Sequence, residues 1–127
     1  MMAPMDKPVT TLYGIRNCDT VKRARAWLDT HQHAYLFHDF KVQGVPVPAL
    51  DDWLAGVGWE TLLNRQGTSW RKLDEATRAG VTDAASARAV MLATPSVIKR
   101  PVVVWAAGAR AGVTVGFKPE AWEARLS

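Results

Sequence analysis

The spacing of hydrophobic positions along the chain alternates between the two-residue period of a strand and the 3.6-residue period of a helix. Val9–Tyr13 is rich in β-forming residues and ends at Gly14, which predicts a strand and a turn. A helical stripe follows at Val21, Ala24, Trp27 and Leu28. Residues 34–40 then have the composition of a second strand. This order of elements indicates a right-handed βαβ unit with parallel strands.

The middle of the chain has the helical period. A connector at 41–48 contains a glycine and two prolines, and Pro48 suits the first position of a new helix. The clearest stripe follows, with apolar residues at i, i+3, i+4 and i+7: Leu50, Trp53, Leu54 and Val57. We expect three further helices, one around 59–63, one capped by Thr68 or Ser69, and one capped by Thr82 or Asp83.

Strands return near the end of the sequence. Val102–Trp105 and Val113–Val115 are β-rich runs that flank a glycine-bearing turn at 107–112, which predicts an antiparallel hairpin. Pro119 then begins a last helix. The whole order predicts an α/β protein with a four-stranded mixed sheet and a helical subdomain inserted at about 48–94. We expect residues 1–8 to form a flexible tail and 9–127 to form one domain.

Composition restricts the possible functions. The 127 residues have a net charge of +4, without a basic stripe interleaved with aromatics, so we expect no nucleic-acid partner. No apolar run approaches the roughly 18 residues of a membrane span, and no signal peptide is recognisable, so we expect no membrane partner. One cysteine excludes an intramolecular disulfide and agrees with the cytoplasm. The histidines lack metal-ligand spacing, so we expect no metal and interpret them as surface or strand-edge residues: His31, His33 and His38.

The sole cysteine, Cys18, stands at the predicted junction of strand and helix. A helix N-terminus offers unpaired N–H groups and a positive dipole, both of which favour a thiolate. Asp19 opposes this effect, and three cations near in sequence support it: Arg16, Lys22 and Arg23. We therefore expect a lowered pKa and a nucleophilic role, although a lone cysteine can also be a small buried hydrophobic residue. We interpret Arg25, off the apolar stripe, as part of a solvated face.

Three motifs resemble the ArsC/Spx family, and most closely its YffB-like branch of small reductases. They are Leu12–Thr20, Leu62–Leu73 and Ile98–Pro101, and the resemblance covers about residues 9 to 126. It implies a thioredoxin-like βαβ–ββα fold with an inserted helical subdomain. It also implies that Cys18 is the catalytic residue, that Arg100 binds an anion beside the sulfur, and that a cis-proline, Pro101, lies next to an incoming peptide or glutathione.

The departures from the family pattern concern the substrate. Arsenate reductases have a histidine where this chain has Gly14, an arginine where it has Asn64, beside Arg65, and a further arginine where it has Lys118. Lysine keeps the charge but lacks the planar fork of arginine, so these differences argue against arsenate as the natural substrate. Spx-type regulators often have Cys-x-x-Cys, whereas Val21 stands three residues after Cys18, which excludes a dithiol switch within one chain.

The sequence thus predicts a cytoplasmic, monomeric monothiol reductase with no tightly bound cofactor. Because no second cysteine resolves the mixed disulfide, glutathione is expected as the co-substrate. The alternatives are an Spx-like regulatory protein that binds RNA polymerase and a true arsenate reductase. Beside the catalytic Cys18, the predicted residues that bind glutathione, a small thiol or an oxyanion are Arg100, Pro101, Arg16, Asn17, Asn64, Arg65 and Lys118.

Overall fold

Four strands form one mixed sheet with the spatial order β2-β1-β3-β4. The inner strand β3 pairs antiparallel with both β1 and β4. In the computed structural model the strands are β1 (Thr10–Gly14), β2 (Tyr35–Asp39), β3 (Val102–Trp105) and β4 (Gly112–Val115). This sheet and its flanking helices confirm the predicted α/β class, and the antiparallel β3–β4 pair confirms the predicted hairpin.

The structure describes residues 9–106 and 112–126. The expected tail, residues 1–8, and residues 107–111 of the expected turn lie outside this range. The chain forms two compact units. The sheet unit contains the described residues up to His38 and from Arg100 onward, and the helical unit is Asp39–Lys99. The helical insertion predicted at about 48–94 lies within the second unit.

The core of the sheet unit lies between the sheet and two helices, α1 (Asp19–Thr30) and α8 (Pro119–Leu126). Its fully buried members include Leu12, Val21 and Trp122. The ring of Trp122 packs edge-to-face against three aromatic neighbours at centroid distances of 4.9 to 5.5 Å: Trp27, Trp105 and Phe117. This aromatic cluster fixes α1, and therefore its N-terminus, against the sheet.

The helical unit consists of short helices. They are α2 (Phe40–Gln43), α3 (Val47–Val57), α4 (Trp59–Leu62), α5 (Thr68–Arg71), α6 (Glu75–Ala79) and α7 (Ala84–Ala93), followed by a 3-10 turn, Pro95–Val97. Buried apolar side chains from several of them form the unit's interior, among them Leu50, Trp53, Leu62, Met91 and Ile98.

Side-chain caps explain where this unit differs from the sequence prediction. Helix α2 replaces the end of the strand expected at 34–40 and the start of the connector expected at 41–48. It begins after Asp39, whose carboxylate accepts the Lys41 N–H at 2.9 Å. Helix α6 was not predicted, although Asp74 before it is a recognisable cap and accepts the Thr77 N–H at 2.7 Å. The cap expected at Asp83 is confirmed, since its carboxylate accepts the Ser86 N–H at 2.9 Å.

Two helix starts differ from the prediction. Helix α3 begins at Val47, which places Pro48 one position later than expected. Helix α5 begins at Thr68 after Gly67 and has no side-chain cap, so neither Thr68 nor Ser69 has the predicted capping role. Because α5 ends at Arg71, Leu73 lies outside it.

The end of α4 is held by the segment that precedes Arg100. The Asn64 N–H donates to the Val97 carbonyl at 2.8 Å, and the Lys99 N–H donates to the Leu62 carbonyl at 2.8 Å. Leu63 and Ile98 form an antiparallel bridge between these bonds. The residues after α4 and Lys99 therefore lie together on this unit. Within the described residues, no helix combines the length and hydropathy that crossing a lipid bilayer would require.

Candidate active site

Cys18 is the N-cap residue of α1. Its backbone is extended (φ −103°, ψ 124°), its N–H donates to the Ile15 carbonyl at 3.2 Å, and its carbonyl accepts the Lys22 N–H at 2.9 Å. The tight turn after β1 therefore places Cys18 directly at the N-terminus of α1. The side chain is half-buried, so the sulfur lies against the first turn of α1 while part of the residue is open to solvent.

The pKa of the Cys18 thiol is lowered from its ordinary value. Partial burial raises the pKa, but the Val21 N–H, the hydrogen bond and charge of Arg100, and the Thr20 N–H together outweigh it. The positive end of the helix dipole at this N-terminus favours the thiolate as well. The predicted direction of the shift is confirmed, but its source differs. The cation that lowers the pKa is Arg100, rather than the cations near in sequence, Arg16, Lys22 and Arg23.

Gly14 at the end of β1 leaves no room for a side chain. A Cβ atom placed on this buried residue would lie 2.8 Å from Cγ2 of Val21 on the first turn of α1. A contact this short would force the Val21 side chain or the helix that carries it to move. At the position where arsenate reductases have a histidine, the close packing of α1 on β1 thus leaves no space for a side chain. The thiol therefore depends on backbone N–H groups and Arg100.

The strand register brings Arg100 and Pro101 to the loop that contains Cys18. Tyr13, at the end of β1, pairs with Val102, at the start of β3. Because the strands are antiparallel, the residues after Tyr13 and those before Val102 lie at the same end of the sheet. The peptide bond between Arg100 and Pro101 is cis, as expected from the family resemblance. Pro101 is buried and Arg100 is half-buried.

Lys118 emerges at this same end of the sheet. Val115, at the end of β4, pairs with Val102, and the next N–H, of Gly116, donates to the Pro101 carbonyl at 2.8 Å. Lys118 is exposed two residues later, and its carbonyl accepts the Trp122 N–H in the first turn of α8. The backbone of Lys118 therefore follows the segment that pairs with the cis-proline, and its predicted role in binding stays a prediction.

Arg16 and Asn17 occupy the turn between β1 and α1, and both are exposed. The guanidinium carbon of Arg16 lies 5.9 Å from the centroid of the Phe37 ring on β2. Both residues thus lie beside Cys18 in the chain, with side chains accessible to a ligand. Their predicted role in substrate binding stays a prediction.

Asn64 and Arg65 lie together on the helical unit. The Asn64 side-chain carbonyl accepts the Gln66 N–H at 3.1 Å, and a Cβ atom at Gly67 would lie 2.8 Å from Asn64 Nδ2. Arg65 forms a long, exposed ion pair with Glu60 at 3.9 Å and lies 5.7 Å from the ring centroid of Trp59. The predicted convergence of this turn with Cys18 stays a prediction.

A cavity of about 340 Å³ on the helical unit adjoins these residues. Its lining is polar and includes two cations and two side-chain amides among Glu60, Thr61, Leu63, Asn64, Arg65, Gln66 and Lys99. Lys99 was not among the predicted site residues. Its position directly before Arg100 in the chain is the signal that could have identified it.

Two histidines lie at the surface or on an edge strand, as expected: His31 is exposed and His38 belongs to the edge strand β2. The third, His33, departs from that prediction. His33 is half-buried and its Nε2 lies 2.8 Å from Oγ1 of the buried Thr10. His31 is exposed and stacks on Trp27 at a centroid distance of 3.6 Å. His38 lies 5.0 Å from the Tyr13 ring. Across residues 9–106 and 112–126, no three histidine, cysteine or carboxylate side chains are grouped to hold a metal ion.

Comparison with known proteins gives consistent results. The model of the ArsC family matches residues 13–125. A curated protein of Haemophilus influenzae is 36% identical over 117 residues, which cover 92% of this chain and 98% of that protein. Among solved structures, a YffB protein is 51% identical with a TM-score of 0.82, over 93% of this chain and 99% of its own. An arsenate reductase (ArsC) related protein from Brucella melitensis is 50% identical with a TM-score of 0.69, over 93% and 94%.

Proposed function

Because the chain belongs to the ArsC family, we propose that it is a monothiol reductase with Cys18 as its nucleophile and glutathione as its co-substrate. The observation that carries this proposal is the lowered pKa of a half-buried thiol at a helix N-terminus beside Arg100. The thiolate is the form that attacks a disulfide, and a lower pKa increases its fraction near neutral pH.

The proposed reaction has two exchange steps. The Cys18 thiolate attacks one sulfur of a substrate disulfide, a new bond forms between the two sulfurs, and the other substrate sulfur leaves as a thiolate that takes up a proton from water. Reduced glutathione, as its thiolate, then attacks the mixed disulfide. That step forms a disulfide between glutathione and the former substrate sulfur and returns the electron pair to Cys18. An external thiol is required because the chain has no second cysteine.

We assign roles to the surrounding groups from their positions. Arg100 stabilises the Cys18 thiolate both as an attacking and as a leaving group. The backbone beside Pro101 offers a polar edge for the glutathione or substrate main chain. Lys118 and the turn residues Arg16 and Asn17 supply charge and hydrogen-bond donors for carboxylates. Asn64 and Arg65 are proposed to contribute from the helical unit.

The same features make arsenate the less favourable substrate. Reduction of an oxyanion requires several donors held in a fixed geometry, where a displacement of about 1 Å can lower the rate roughly a hundredfold. Here Gly14 supplies no side chain, and Lys118 offers a point charge rather than a planar fork. Disulfide exchange depends mainly on the thiolate and on an in-line approach. We therefore propose fast glutathionylation and slow or absent arsenate reduction, in a glutathione-rich compartment such as the cytoplasm.

The test is intact-mass analysis of the protein after treatment with oxidised glutathione. We expect one glutathione on the wild type, its removal by excess reduced glutathione, and no adduct on Cys18→Ser. Arsenate reduction is measured in parallel with the same thiol. Absence of the adduct, or arsenate turnover as efficient as disulfide exchange, contradicts the proposal. A Cys18→Ser variant with the wild type's cellular activity would instead favour an Spx-like interaction protein.

A further inference from the structure

A groove along the outer side of α1 has no role in the reaction described above. It has a volume of about 350 Å³ and is lined by Arg16, Lys22, Arg25, Ala26 and Asp29. Four of these residues lie on one stripe of α1, at intervals of three and four positions, and Arg16 closes the end near Cys18. The groove therefore begins at the turn that contains the nucleophile and continues toward the C-terminus of the helix.

Arg25 is held in place at the floor of this groove. Its guanidinium carbon lies 4.0 Å from the ring centroid of Phe37, and its Nε donates to the Tyr35 hydroxyl at 3.1 Å. The interpretation of Arg25 as part of a solvated face therefore holds only in part, because its side chain is half-buried against β2. Because Phe37 also contacts Arg16, two guanidinium groups converge on one aromatic ring of β2. Cation–π contacts fix the position of a charge without neutralising it.

The positive charge of the groove is not compensated within the described part of the chain. None of its three cations has a carboxylate within ion-pairing distance there, since the ion pairs shown are Arg65–Glu60 and Arg88–Asp51. Asp29 is the one acidic residue of the groove's lining. An anionic ligand could therefore approach the cations without displacing an existing partner.

We propose that this groove docks an acidic segment of a protein substrate, next to the oxidised cysteine that Cys18 attacks. The inference rests on the proposed function, because it names the substrate class of the same thiol. From Cys18 to Asp29 the helix rises roughly 16 Å at about 1.5 Å per residue. An extended peptide covers that length with about five residues, which is more than the three of glutathione. The three cations of the groove are spread along the helix and have no acidic partner among the described residues. They therefore match a segment with several carboxylates better than glutathione, whose net charge is a single negative one.

Three peptides of equal length test the proposal. Each has one cysteine in a disulfide with thionitrobenzoate, followed by a tail of glutamates, serines or lysines. Attack by the Cys18 thiolate on the peptide sulfur joins the two sulfurs and releases the coloured thionitrobenzoate thiolate. We expect the acidic peptide to react at least about tenfold faster than the serine peptide at low salt, with the difference falling as salt rises.

Two charge reversals one position apart provide matched variants. Lys22→Glu places a carboxylate in the groove, whereas Arg23→Glu makes the same change at an exposed residue outside its lining. We expect Lys22→Glu to abolish the preference for the acidic tail and Arg23→Glu to retain most of it. The serine peptide corrects for any change in thiol reactivity. Equal rates for the three peptides with the wild type, or equal losses in both variants, would overturn the proposal.

Two further measurements separate this proposal from the proposed function. Binding of a thiol-free acidic peptide to the Cys18→Ser protein, followed by fluorescence anisotropy, needs no nucleophile. One outcome is that Lys22→Glu weakens this binding while the wild type releases thionitrobenzoate from none of the peptides. That outcome supports docking in the groove and refutes the proposed reductase function. If Lys22→Glu slows the reaction with oxidised glutathione as much as that with the acidic peptide, the groove serves glutathione, and docking of a protein segment is refuted.

Discussion

The sheet unit and the helical unit hold their secondary structure by different means. In the sheet unit, residues far apart in the chain form a buried aromatic cluster around Trp122, and strand register brings Arg100 to the loop of Cys18. In the helical unit, three of the helices, α2, α6 and α7, begin at local side-chain caps, at Asp39, Asp74 and Asp83. The surroundings of Cys18 thus depend on long-range packing, whereas three helix starts of the helical unit are determined within a few residues.

Removal of the central aromatic side chain is expected to have the largest effect on stability. Trp122 is 1% exposed and contacts three other aromatic rings. Trp122→Ala should lower the free energy of unfolding by about 3–5 kcal/mol, measured by denaturant titration. The half-buried Trp70 of the helical unit provides the control, and Trp70→Ala should cost clearly less. Equal losses of stability in the two variants would contradict the claim that the sheet unit depends on the aromatic cluster around Trp122.

Loss of one cap should have an intermediate effect that is confined to the helical unit. The Ser86 N–H and hydroxyl both donate to the Asp83 carboxylate and hold its pKa below the usual value. Asp83→Ala should lower Tm by several degrees, and Asp83→Asn, which keeps an acceptor, by less. Asp52→Ala, an exposed substitution within α3, is the matched control.

The sign of the pH dependence follows from the direction of that shift. Because the folded pKa is lowered, the stability due to Asp83 is fully present above the ordinary value of about 3.9 and is lost as pH falls through the lowered value. Asp83→Asn should lack this part of the acid dependence. The expectation fails if that variant loses stability on acidification as steeply as the wild type.

The smallest expected effect concerns His33 in the sheet unit. Burial lowers the pKa of His33, so the stability it contributes is fully present above about 6.5 and is lost as pH falls through the lowered value. His33→Gln keeps a hydrogen-bonding group for Thr10 but does not titrate. Urea unfolding at about pH 7.5 and about pH 5 should therefore differ less for the variant than for the wild type. Thr30→Ala, an exposed substitution that leaves His33 in place, should keep the wild type's pH dependence.

The contrast between long-range packing and local signals also explains which features can be predicted from the sequence. The β1–α1 junction at Cys18 and the β3–β4 hairpin follow from local pattern, and both are observed. The cap at Asp74 is also a local signal, but a helix of five residues is too short for a hydrophobic stripe to reveal. At Thr68 the polar residue suggested a cap, whereas the structure places it inside the helix.

Features that depend on residues distant in sequence could not be derived from local pattern. Arg100 stands more than eighty residues after Cys18, and only the family resemblance connected them. Lys22 and Arg23 are not among the groups that lower the pKa of Cys18, because nearness in sequence does not determine where a long side chain points. The contacts of Arg25 could not be predicted from local pattern either, since the aromatic ring that it packs against belongs to β2.

The central claim is that Arg100, together with the N-terminus of α1, keeps Cys18 reactive. Its most direct test is the rate of Cys18 alkylation by iodoacetamide as a function of pH. The wild type should show a midpoint below the ordinary value of about 8.5. Arg100→Ala should raise that midpoint and slow glutathionylation at neutral pH roughly tenfold to a hundredfold, as loss of a hydrogen bond to a charged group implies. Arg100→Lys should lie between them.

Arg23→Ala is the matched control in this measurement, because it removes an exposed cation that is much nearer to Cys18 in sequence. The account predicts an unchanged midpoint for Arg23→Ala and a raised one for Arg100→Ala. A wild-type midpoint at or above the ordinary value, or the same midpoint in wild type and Arg100→Ala, would contradict it.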